Sequence, residues 1–108
     1  MKTGDIVLIP FPFAELTQVK VRPAVVVAET KDKYKDLILA AISSQIPASI
    51  SPAELIIKPG PLNGLRALSL IKIDRLFTLK TEKVITAIGK LSPNQTDEFK
   101  TSFKNLAD

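Results

Sequence analysis

Short apolar runs separated by polar or proline-rich stretches fill most of the chain, and only its last part shows a helical spacing. Residues 5–9 (DIVLI) follow Gly4 and stop at Pro10-Phe11-Pro12, which predicts a short strand leading into a stiff loop. Residues 23–28 (PAVVVA) are valine-rich and uninterrupted by polar groups, as in a strand buried on both faces or inside a small barrel. The hydrophilic stretch ETKDKYKD ends it, and LILAAISS (37–44) predicts a third strand. QIPASISPA (45–53) resists regular structure, ELIIK (54–58) reads as a fourth strand, and PGPLNGL (59–65) is a strong break. Beyond it, residues 67–74 predict a strand, with 76–79 either its bent continuation or a separate one; 84–88, closed by Gly89, fit a strand or a helical turn, and are read as a strand near an edge.

The pattern changes at Ser92. Serine before Pro93, with Gln95 three residues on, is a capping box with proline at the first helical position, where its missing N–H matters least. Phe99, Phe103 and Leu106 then recur at helical spacing and give one apolar face, while Lys100 and Lys104 fall toward the negative end of the helix. Several short strands, Pro/Gly-rich turns and one terminal helix predict a mainly β, β-rich α+β fold: a small curled sheet or barrel with the helix packed on it. With no internal repeat, low-complexity tract or linker, residues 1–108 read as a single domain.

Composition narrows the chemistry. The chain has neither cysteine nor histidine, which removes disulfides, thiol chemistry, the commonest general base and any Ser-His-Asp triad. The acidic residues are scattered without a ligand-like spacing, so neither a metal nor another cofactor is expected. A net charge of +4 makes polyanions plausible partners. The amino end is unlike a signal peptide or membrane span, so a soluble, cytoplasmic protein without membrane association is expected.

Two segments could carry chemistry. In VRPAVVV, Pro23 restricts the backbone of Arg22 to extended geometry and removes one ladder donor, fixing where pairing begins. Arg22 is then either a solvated arginine beside a strand or a rigidly mounted guanidinium whose planar fork suits phosphate oxygens. In AAISSQ, Ser43 and Ser44 follow an apolar strand; they either satisfy backbone groups at the strand exit or donate to a developing negative charge.

Taken together, GDIVLIPFPF, VKVRPAVVV, LILAAISSQ, LSLIKIDRLFTL and IGKLS, followed by a terminal helix, resemble the PemK/MazF family of toxin endoribonucleases across essentially the whole chain. The GDIV and RPAVVV pair, at this separation, is the most specific part. The resemblance implies an SH3-like small barrel with a C-terminal α-helix, a homodimer, metal-independent cleavage of single-stranded RNA, and a cognate antitoxin that occludes the RNA groove. It puts the family's active-site arginine on Arg22 and its hydroxyl residue, usually threonine, on Ser43, where serine keeps the O–H but loses the methyl that stiffens the rotamer. The loop from Pro10 to Lys20 carries few of the glycines and charges common there in the family.

With catalysis assigned to Arg22 and Ser43, RNA-binding candidates are Lys20, Ser44, Lys72 and Arg75. Glu15 is a candidate base by position alone, and Phe11 and Phe13 could stack bases or pack a barrel end. The rival readings are a catalytically silent SH3-like barrel acting as a protein- or nucleic-acid-binding module and a gyrase-poisoning toxin of the same superfold. The C-terminal KNLAD, in a chain without tryptophan, argues against the last.

Overall fold

A computed structural model of the chain describes residues 1–10 and 20–108. Six antiparallel strands, β1 (Asp5–Pro10), β2 (Val21–Glu29), β3 (Leu37–Ser43), β4 (Glu54–Ile57), β5 (Ser69–Leu79) and β6 (Thr86–Lys90), are followed by helix α1 (Pro93–Leu106). They form one sheet in the order β4-β5-β3-β2-β1-β6, curled into a half-barrel. The curl has local causes, because the ladders carry unpaired residues: Ile88 of β6 opposite Ile6 and Val7, Val27 of β2, and Ile73, Asp74 and Arg75 of β5 opposite Ala40 and Ala41. Each such bulge bends its strand and adds twist.

Both faces of the curled sheet are covered, which is why the valine run of β2 needs no polar alternation: Ala24, Val25 and Val26 are all buried. Ile6, Val25, Ile71 and Ile73 pack with Leu91 and Phe99 in one cluster, while Val7, Ile9, Ala24, Val26, Leu37 and Leu39 form a second. α1 enters the first cluster through Phe99, which meets Phe103 edge to face at 4.8 Å. Leu106 shares the predicted face by spacing but is 46% exposed, so the apolar stripe is buried at its start and open at its end. The capping box forms as predicted: the Ser92 hydroxyl accepts from the Gln95 N–H, and the Gln95 side chain accepts from the Ser92 N–H.

Three strands differ from the sequence expectation by two residues at an end, the others by one at most. β2 begins at Val21, two residues before Pro23, since β1 pairs there across Pro10 and Ile9; the proline limits only the pairing with β3, which starts at Ala24. β5 begins at Ser69 and runs unbroken to Leu79, so residues 76–79 are its continuation. The last strand is shifted to Thr86–Lys90 with Gly89 inside it, where the Leu62–Asn63 backbone comes so close that a side chain would collide. That approach is held by a turn built on buried Asn63, whose Oδ1 accepts from the Gly60 and Leu65 N–H groups while Nδ2 donates to the Lys58 carbonyl.

Candidate functional site

The late start of the β2–β3 ladder opens the site. Pro23 has no N–H to offer β3, so the last ladder pair is Ala24 with Ala41. Continuing that antiparallel register two residues further sets Arg22 opposite Ser43, on strands that are held from outside: Arg22 pairs with Ile9 of β1, and Ser43 with Leu70 of β5. The two candidate catalytic residues, 21 positions apart by number, thus face each other across an unzipped end of the sheet. Arg22 is exposed and Ser43 partly buried.

β5 supplies the other wall. Ala40 pairs with Leu76 and Ala41 with Lys72, which leaves Ile73, Asp74 and Arg75 without partners on β3. This wide bulge is anchored by buried Ile73, whose N–H donates to the Ala53 carbonyl at 2.8 Å. Asp74 and Arg75 lie exposed beside it. The small side chain of Ala41 separates Lys72 from Ala24 along the same row, leaving space above the sheet.

A cavity of about 680 Å³ occupies that space, lined among others by Arg22, Ser43, Ser44, Lys72, Asp74 and Arg75. Of the sequence candidates, Arg22, Ser43, Ser44, Lys72 and Arg75 are therefore brought together, while exposed Lys20 does not line the cavity. Asp74 is the residue that sequence reading missed; it counted only as one of the scattered acids, and no local signal marks a bulge that its partner strand creates. Glu15, Phe11 and Phe13 lie outside the described residues.

Ser43 is more constrained than its residue type suggests. Its Oγ accepts from the Gln45 N–H at 3.1 Å, which pins the oxygen and leaves the hydroxyl proton for another acceptor. This contact restores part of the rotamer rigidity that the missing methyl would supply. Three cations with the Ser43 and Ser44 hydroxyls around one opening can hold a phosphate and stabilise charge growing on its oxygens, while the third hydroxyl on the wall, that of Ser69, donates to the Ala67 carbonyl. Among the described residues no group of three His, Cys, Asp or Glu side chains is placed to hold a metal ion.

Comparison with known proteins adds a family to this geometry. Residues 2–106 match the family described as PemK-like, MazF-like toxin of type II toxin–antitoxin systems. The chain belongs to the PemK/MazF toxin family. Among curated proteins none matches the sequence. Solved structures with the same fold include an endoribonuclease in complex with its cognate antitoxin from a mycobacterial species, at 13% identity and a TM-score of 0.74, covering 97% of this chain and 92% of that one. The Mycobacterium tuberculosis toxin MazF-mt6 aligns at 17% identity with a TM-score of 0.70, covering 96% of each chain. A further M. tuberculosis toxin aligns at 19% identity and a TM-score of 0.61, over 78% of this chain and 90% of that one. The mainly β PemK/MazF-like barrel with a terminal helix is thus the fold of this chain. No helix among the described residues is long and apolar enough to cross a membrane.

Proposed function

We propose that this PemK/MazF toxin acts as a sequence-selective, metal-independent endoribonuclease on single-stranded RNA. It works as a single domain over residues 1–108, as a cytoplasmic homodimer neutralised by a cognate antitoxin. The observation that carries the reading is the convergence of Arg22 and Ser43 from separate strands on one cavity that also holds Lys72, Asp74 and Arg75. The solved relative bound to its antitoxin supports the partner.

The chemistry follows from the groups. The ribose 2′-hydroxyl attacks the adjacent phosphorus, the new O–P bond forms as the bond to the 5′-oxygen breaks, and the products are a 2′,3′-cyclic phosphate and a 5′-hydroxyl. In the pentacoordinate transition state negative charge gathers on the non-bridging oxygens. The Arg22 guanidinium and the Ser43 hydroxyl serve as fixed donors to those oxygens; removing one preorganised donor typically costs about a hundredfold or more in rate. A guanidinium holds its proton too tightly to act as a base near neutrality, so Arg22 acts electrostatically. The Asp74 carboxylate, on the wall of the same cavity, accepts the 2′-hydroxyl proton, and the leaving 5′-oxygen takes its proton from solvent water at this exposed site. Lys72 and Arg75 hold the flanking phosphates, with Ser44 and Lys20 along the same track.

The test is incubation of the purified protein with a long RNA in EDTA, beside Arg22→Ala and Asp74→Asn, with cut ends mapped by sequencing. Discrete cuts with 5′-hydroxyl ends that vanish in both variants support the reading. Intact RNA with folded wild-type protein overturns it in favour of a barrel that only binds.

A further inference from the structure

A second cavity, of about 460 Å³, adjoins the first and shares Ser43, Gln45 and Lys72 with it. Its own walls are Ile46, Pro47 and Leu70, with Ser49 and Glu54 as added polar groups. Its size lies within the range of roughly 300–1,000 Å³ usual for small-molecule sites. Three apolar side chains beside five polar ones, Ser43, Gln45, Ser49, Glu54 and Lys72, offer a nucleobase a patch for its flat face and several partners for its hydrogen-bonding edge.

Glu54 is the residue that needs explaining, because a carboxylate beside a polyanion repels phosphates. It stands in register with Lys72 on β5, which in turn pairs with Ala41, so one row of the sheet runs from the first cavity to Glu54. The carboxylate is held in place: Glu54 Oε1 accepts from the Ser51 N–H at 2.8 Å. This uses one of about four lone-pair sites on a group that only accepts hydrogen bonds. A fixed, partly buried acceptor in a cavity wall discriminates by what it faces: an amino group is bound, whereas a carbonyl oxygen is repelled.

We infer that this second cavity receives the base of the nucleotide adjoining the scissile phosphate, and that Glu54 selects bases with an exocyclic amino group, adenine, cytosine or guanine, over uracil. The inference rests on the ribonuclease reading above. The phosphate held at Arg22 and Ser43 and the base at Glu54 are then bridged by Lys72 and Gln45, which with Ser43 are common to both cavities. Gln45 offers both a donor and an acceptor to the same base edge.

The test uses an RNA library randomised around a mapped cut site and compares the wild-type protein with Glu54→Gln, Arg22→Ala serving as the uncut control. Glu54→Gln keeps the size of the side chain and an oxygen for the Ser51 N–H, and gives the cavity a donor. The expected result is exclusion of uracil at one position next to the cut by the wild type. In Glu54→Gln the relative use of uracil at that position should rise on the order of tenfold, with preferences elsewhere unchanged. Identical preferences at every position overturn the inference while leaving the ribonuclease standing. A wild-type protein that cuts no RNA overturns the ribonuclease reading and the base selection with it.

Discussion

At the residue scale, Pro23 decides what Arg22 can do. By withholding a ladder N–H from β3 it stops the sheet from closing over the arginine, and by restricting its neighbour's backbone it keeps that arginine extended. Arg22 is exposed, so Arg22→Ala should leave stability within about 0.5 kcal/mol while lowering cleavage about a hundredfold or more, read as the thermal midpoint against the rate on one RNA. A matching loss of folding would place Arg22 in the scaffold instead. Ser43 was legible as a hydroxyl at a strand exit, but its anchoring by the Gln45 N–H was not, since that contact depends on how the chain turns after β3. Ser43→Ala should cut the rate while Ser43→Thr retains it; equal activity of all three proteins would remove the hydroxyl from the mechanism. Asp74 was illegible because nothing adjacent in sequence says that β5 leaves its ladder there.

At the scale of elements, the helix was the most legible part, since its cap, first proline and apolar spacing are all local. Phe99→Ala, which empties a fully buried aromatic position, should destabilise by about 3–5 kcal/mol. Ser92→Ala should cost about 1 kcal/mol. Urea unfolding distinguishes the two, and a similar small loss for both would mean that α1 is only loosely docked. β6 was read two residues early because Gly89 looks like a terminator, whereas the glycine serves a close backbone approach from a loop distant in sequence. Gly89→Ala should therefore destabilise by about 1–3 kcal/mol through crowding, against near neutrality if the loop could simply step back. In the turn between β2 and β3, the Thr30 hydroxyl donates to Asp32 Oδ1 at 2.8 Å and, with the Tyr34 and Lys35 N–H groups, holds that exposed carboxyl below its ordinary value. Because the folded value is the lower one, this support is complete above the unfolded value near about 4 and is lost as pH falls through the folded value. The protection of the Tyr34 and Lys35 amides relative to their intrinsic exchange rates should fall in that acid range, and Asp32→Asn should remove this fall; protection unchanged with pH in the native protein would contradict it.

At the scale of the whole molecule, the barrel brings to one opening residues from β2, β3 and β5 that the sequence scatters over more than half its length. The mainly β class and terminal helix were readable from run lengths and caps. A curled sheet was expected as well, but the positions of its bulges and the unzipped corner were not readable, since bulges are defined by partners. A net charge of +4, with Arg22, Lys72 and Arg75 at the opening, predicts RNA binding that weakens steeply with salt. For single strands the slope of log K against log salt is about −0.7 for each phosphate neutralised, so Arg75→Ala should flatten it by about 0.7. An unchanged slope would take Arg75 off the RNA track. The proposed homodimer predicts twice the chain mass in sedimentation, against a single chain mass if the barrel acts alone.

The claim on which the rest depends is that Arg22, across from Ser43, cleaves RNA without a metal. Its most direct test is sequencing of the ends produced from one long RNA in EDTA by the wild-type protein and by Arg22→Ala. The account predicts discrete cuts at a recurring motif, each leaving a 5′-hydroxyl and each absent with the variant; uncut RNA, or cuts that persist without the arginine, would contradict it.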